Sequence, residues 1–166
     1  MKKTFLLAAI LLLLAAVAVA GVDFSGTWAL NQSKSDPAPA GRGGGGGGGA
    51  GGAGGGGGGG GAADLSIKQA GNVMTISRTM GQNATETAYT MDGAEHTSTG
   101  PRGDLKYKAV LSGNSVHITG NQASQRGDRP VDQTYTLSDD GKTLTLTYVN
   151  QGQSGPTTRK QVYDKK

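Results

Sequence analysis

Few side chains in this sequence are equipped to make or break covalent bonds. The 166 residues include no Cys and two His, so Cys nucleophiles, disulfide frameworks and thiolate zinc sites are excluded together. His117 alternates with Val116 and Ile118 on the same side as Ser115 and Thr119, which reads as a solvated strand face rather than a general base. His96 lies far from it in sequence. No G-x-S-x-G elbow, H-E-x-x-H pair or acidic calcium loop occurs. Asp139 and Asp140 resemble paired carboxylates, but they precede Gly141 and are better explained as turn formers. A glycosidase would need two carboxylates facing each other across a cleft, and none is apparent. The two Arg-Gly-Asp tripeptides, Arg102 to Asp104 and Arg126 to Asp128, fall in expected loops and read as turn chemistry. The expectation is a non-enzyme with no catalytic residues, no metal and no cofactor.

One charged residue could instead serve binding. Arg78 shares its alternation with Met74, Ile76 and Met80, so it either points inward, where a guanidinium can meet a carboxylate through paired N–H bonds, or snorkels to water from a strand end. The elements that would position it are short strands. From Asp64 to Lys166, alternating runs are separated by turn residues about every ten positions, which signals an antiparallel all-β sandwich or barrel. Leu65, Ile67 and Gln69 turn through Ala70-Gly71-Asn72 into Met74, Ile76 and Arg78. Thr85, Thr87, Tyr89 and Met91 lead to Asp92-Gly93, expected as a tight turn before a short strand over Glu95 to Thr99. Leu105, Tyr107, Ala109 and Leu111 turn at Gly113-Asn114 into Val116 and Ile118. Val131, Gln133, Tyr135 and Leu137 turn at Asp139 to Lys142 into Leu144, Leu146 and Tyr148, and a last strand covers Thr157 to Asp164.

With Val22 to Asn31 added, about ten strands are expected, each with an apolar and a Thr/Ser/Lys face. Consecutive hairpins of that kind favour up-and-down order, and closure into a barrel removes aggregation-prone edges. The core is thin: Leu, Ile, Val and Phe supply 18 of the 146 residues after Ala20, so the five Tyr and Met74, Met80 and Met91 must help fill it. A small barrel with few large inward side chains has room for water or a ligand.

The rest of the chain is organised around this domain. Met1 to Ala20 has a basic start, an apolar run from Phe5 and small residues at Ala18 and Ala20, the pattern of a secretory signal peptide. The run is shorter than the ~20 residues a spanning helix needs, so no stable membrane insertion is expected after its removal. The expected address is periplasmic or secreted, in a bacterium. Without Lys2 and Lys3, 14 basic residues face 12 acidic ones, too even a balance for a nucleic-acid surface. Residues 21–36 form the first strand and its flank, and 64–166 the remainder of the barrel. Between them, 37–63 is a low-complexity linker, Gly at 18 of the 21 positions from Gly41 to Gly61. Gly loses most backbone entropy on ordering and has no side chain to bury, so this linker is expected to be disordered.

Phe24-Ser25-Gly26-Thr27-Trp28 resembles the F-x-G-x-W opening of the calycins, the lipocalin and fatty-acid-binding-protein superfamily. Val162-Tyr163-Asp164-Lys165 is similar to the aromatic-acidic-basic ending of fatty-acid-binding proteins. The resemblance implies a single antiparallel up-and-down β-barrel of about 8–10 strands, with Phe24, Gly26 and Trp28 closing one end. In fatty-acid-binding proteins an Arg two positions before the final-strand Tyr holds a carboxylate. Here Gln161 stands at that position before Tyr163, and Tyr135 stands near where a second Arg is expected.

The combined expectation is an exported monomeric barrel binding a small hydrophobic molecule inside. Candidate lining groups are Tyr89, Tyr107, Gln133 and Tyr135, joined by Tyr148, Gln161, Tyr163 and Arg78, since apolar walls with a few polar handles are what such sites require. The competing expectation is a structural or interaction module of the cell envelope whose barrel is filled.

Overall fold

The computed structural model describes residues 21–37, 64–80, 83–100, 103–124, 127–152 and 155–166. The expected signal peptide and nearly all of the Gly-rich linker lie outside the described residues.

Ten strands form one antiparallel sheet: β1 (Gly26–Leu30), β2 (Leu65–Ala70), β3 (Val73–Met80), β4 (Asn83–Thr90), β5 (Asp92–Gly100), β6 (Gly103–Ser112), β7 (Ser115–Gln122), β8 (Arg129–Leu137), β9 (Thr143–Gly152) and β10 (Gly155–Lys165). Among the described residues there is no helix. Their order is β4-β3-β2-β1-β10-β9-β8-β7-β6-β5. Every hydrogen-bonded neighbour is a sequence neighbour except β1 and β10, which bring the chain's two ends together through Trp28↔Lys165 and Leu30↔Tyr163. The sheet thus curls into a nearly closed up-and-down barrel, and its one seam lies between β4 and β5.

The period-2 alternation decides which side chains point inward. In β6, Leu105, Tyr107 and Ala109 are buried and Lys106, Lys108 and Val110 exposed. The same pattern runs through Val116 and Ile118, Tyr135 and Leu137, and Leu144 and Leu146. Val162 breaks it, being buried on the outward side of β10. The segment after β1 covers it: the Asn31 amide donates to the Val162 carbonyl at 2.8 Å, the Val162 amide to Ser35 Oγ at 2.8 Å and the Asp36 amide to the Lys160 carbonyl at 2.9 Å.

One end of the barrel, here called the base, is laced shut. Asn114 of the β6–β7 turn donates from its side chain to the Leu137 carbonyl at 2.6 Å and accepts from the Leu137 amide at 2.9 Å. The Lys165 amide reaches the Lys142 carbonyl at 2.9 Å and the Met91 amide reaches Asn72 at 2.7 Å. Gln69 ties the entering chain down, accepting from the Phe24 amide and donating to the Val22 carbonyl, both at 3.0 Å.

Two local expectations change. The first strand is shorter than Val22 to Asn31, because residues before Gly26 are held by Gln69 and residues after Leu30 peel away along β10. Asp92-Gly93 forms no hairpin turn: both residues open β5, where the register to β6 shifts between Asp92 and Glu95 and Gly93 takes φ 75°. The positive φ that suggested a turn is used for a bulge, so β4 and β5 diverge instead of pairing. Gly120 has a different role. A Cβ there would stand 2.1 Å from the Lys106 carbonyl oxygen and 2.9 Å from Tyr107 Cα, so only Gly lets β7 approach β6 this closely.

Candidate functional site in the barrel interior

The interior falls into two parts. At the base, Phe24, Trp28, Met74, Val116 and Leu144 are 0% exposed. A wall residue bordering a water-sized void would carry open surface, so this half is filled by side chains. Trp28 is central to it. Its indole N–H donates to the Phe24 carbonyl at 3.1 Å, and the Lys165 ammonium lies 5.2 Å from its ring centroid, a cation–π arrangement. Gly26, two residues earlier, pairs with Ile67 on β2.

Above the base, polar side chains enter. Arg78 turns inward: its Nη2 donates to the Tyr135 hydroxyl at 2.7 Å, from β3 to β8. This decides between the two directions that the sequence allowed, and the reason is position. Arg78 pairs with Leu65 and Thr85 inside the sheet, and an inward phenol meets it. No described carboxylate pairs with it. Its pKa is raised, chiefly by the Tyr135 phenol and then by Tyr163 and Tyr89, against the lowering effect of burial. A guanidinium stays charged in any case. This one is a partly buried cation among neutral phenols.

The remaining candidates pair off around it. Gln133 Nε2 donates to the Tyr89 hydroxyl at 3.2 Å, and the Tyr163 hydroxyl donates to Gln161 Oε1 at 2.9 Å. Burial pushes the Tyr89 and Tyr163 phenols up to about 12, with Arg78 opposing the rise in both, so both remain donors at neutral pH. Tyr148 sits across from Gln133 and packs partly buried against the core. Solvent reaches Arg78, Gln133, Tyr148 and Gln161 in part, whereas Tyr89, Tyr107, Tyr135 and Tyr163 are at most 6% exposed. The arrangement is a polar cup whose floor is phenolic and into which Arg78 brings a formal charge.

Tyr107 stands apart from that cup. Its hydroxyl accepts from the Thr90 amide at 3.0 Å and donates weakly to the Ala88 carbonyl at 3.4 Å, so it serves backbone across the seam. Two inward groups escaped the sequence reading. Arg159 shares the register of Gln161 and Tyr163 and faces Tyr148, with its Nη1 donating to the Pro37 carbonyl at 2.7 Å; counting back in twos from Tyr163 would have found it. His96 pairs with Tyr107, the rings 5.7 Å apart, and only the cross-strand register reveals it. His117 is exposed and 2.9 Å from Asp132, on the outer face. A hollow of about 330 Å³ also lies outside, over β5 to β7, bordered by Glu95, Lys106, Lys108, Thr119 and Asn121.

No family model and no curated protein matches the sequence. Among solved structures the barrel is similar to human cRBP IV at 14% identity and TM-score 0.56, covering 87% of this chain and 99% of that one. It is similar to lipid binding protein 8 of Caenorhabditis elegans at 11% identity and TM-score 0.54, and to the REP1-NXSQ fatty acid transporter at 13% and 0.52; each comparison covers 86% of this chain and 95% of the other. The likeness is one of fold, a calycin-like barrel, which is the architecture that the resemblance of the F-x-G-x-W opening implied.

Proposed function

We propose that the chain is an exported binding protein whose upper barrel holds a small hydrophobic molecule with an acidic head. The observation that carries this reading is the Arg78 guanidinium inside the barrel, bonded to Tyr135 and matched by no described carboxylate. A charge drawn partly out of water favours a partner, and a ligand carboxylate or sulfonate would supply one. The Tyr135 hydroxyl, while accepting from Arg78, retains its own proton to donate to the same head group. Gln133 and Gln161 offer neutral handles, and Tyr148 and the floor phenols offer apolar area to the body. The filled base limits the ligand to the upper half. Solved proteins of this fold include ones named for lipid binding and for fatty acid transport, which supports the choice of a hydrophobic cargo.

The test is fluorescence titration with an anionic apolar dye, an anilinonaphthalene sulfonate, and with an uncharged one. One site per chain is expected for the anionic dye, weakened about tenfold or more in Arg78→Gln, while the uncharged dye is little affected. Failure of both dyes to bind, or equal loss of both in the variant, overturns the reading. Expression in a bacterium should yield a monomer that begins at Gly21, read by mass spectrometry and size-exclusion chromatography; an uncleaved chain contradicts export through Met1 to Ala20.

The filled base and the outward position of the 330 Å³ hollow favour a second reading, a packed envelope module that contacts its partner from outside. It predicts no dye uptake by either probe.

A further inference from the structure

The β4–β5 seam is where the wall lacks a ladder. Every other neighbouring pair of strands is joined by backbone pairing, and the base is laced by Asn114, Asn72 and Lys142. At the seam, among the described residues, the Tyr107 side chain takes the place of backbone. The Tyr107 hydroxyl receives the Thr90 N–H and approaches the Ala88 carbonyl, two groups on the edge of β4 that faces away from β3. The Tyr107 ring is fixed on two sides. Tyr89 meets it edge to face at 5.2 Å, and His96 lies against it at 5.7 Å, itself held by Asp92 Oδ1 at 2.8 Å from Nε2. Tyr89 in turn accepts from Gln133 in the polar cup, so the closing residue touches the cup through one ring.

We propose that Tyr107 is a latch, and that breaking its hydroxyl contacts to β4 opens the seam as the route by which ligand reaches the cup. Opening anywhere else breaks a run of backbone hydrogen bonds, whereas here, among the described residues, the β4 backbone is held by one good bond and one weak one to Tyr107, beside the contacts of Tyr89 with the Tyr107 ring and Gln133. The bulge at Asp92 to Glu95 already splays β5 from β4, so little further distortion is needed. The proposal rests on the binding reading for the cargo, but the latch itself is testable without any ligand.

Tyr107→Phe keeps the ring and its packing and removes only the hydroxyl. Thr90→Pro removes the donor from the other strand and leaves Tyr107 intact. In both variants, hydrogen exchange at the ladder amides of the two strands bordering the seam, in the β4–β3 and β5–β6 pairings, should accelerate about tenfold, with exchange in β8 and β9 unchanged. Stopped-flow mixing with the anionic dye should show faster association and dissociation at nearly unchanged affinity. Unchanged seam exchange in a folded variant overturns the latch, as does acceleration spread evenly over all ten strands. Faster exchange with unaltered dye kinetics overturns the entry route alone. Exchange that responds in a protein that takes up no dye overturns the binding reading while the latch stands. If one variant does not fold, the other decides.

Discussion

The base and the cup are built from the same strands and the same alternation, yet they solve different problems. At the base, Trp28, Phe24, Val116, Met74 and Leu144 leave no open surface, and the turns are cross-tied by backbone bonds. A few residues along the same strands, Met74 and Ile76 give way to Arg78, Leu137 and Tyr135 to Gln133, and Leu144 and Leu146 to Tyr148. The base supplies stability, and that lets the cup carry a cation without a described counter-ion. A thin core concentrated at one end can hold a barrel whose other end is polar.

Substitutions should therefore cost stability at the base and recognition in the cup. The largest effect is expected for Trp28→Ala, which empties the centre of the base and removes the bond to Phe24: about 3 to 5 kcal/mol, read as a lower urea midpoint. Small loss there would mean that Trp28 is not what closes the barrel. Next, taken one phenol at a time, is alkaline pH. Tyr89 and Tyr163 rise from 10.0 to about 12, so between those values the unfolded chain releases phenol protons that the folded chain keeps. Their contribution is intact below pH 10 and is lost as pH climbs toward 12. The loss is on the order of 2 to 3 kcal/mol for each group, visible as a falling melting temperature whose slope is halved in Tyr163→Phe.

Gly120→Ala should cost roughly 1 to 3 kcal/mol, because the new Cβ meets strand backbone that cannot give way cheaply. Circular dichroism melts would show it, and a silent substitution would contradict the close approach of β6 and β7. Arg78→Met should change stability by less than about 1 kcal/mol, with a gain allowed, since replacing a desolvated charge with an apolar side chain of similar length is often neutral or favourable. A large loss would assign Arg78 to the scaffold and erase the division between base and cup. The smallest effect belongs to Lys34→Ala on the outer surface beside β10. Its ion pair with Asp164 is largely exposed, so a change within about 0.5 kcal/mol is expected and should fade with added salt.

Period-2 alternation and turn residues made the barrel legible in advance, along with the inward direction of nearly every candidate side chain. Tyr107 was placed correctly on the inner face, but its role was invisible, because nothing local says that its hydroxyl meets the edge of β4. Asp92-Gly93 misled for the same kind of reason. A Gly that favours positive φ serves a hairpin turn and a bulge equally well, and the choice depends on whether the flanking strands can pair.

About ten strands, their alternation and the up-and-down order of the hairpins were legible in the residues alone, since period-2 runs and tight turns join positions close along the chain. It took the folded barrel to turn Arg78 in to Tyr135, to set Tyr107 across the seam and to fill the base while polar groups gather above it. Those outcomes depend on which side chains meet across the barrel, from strands far apart in sequence, and no local pattern records such meetings.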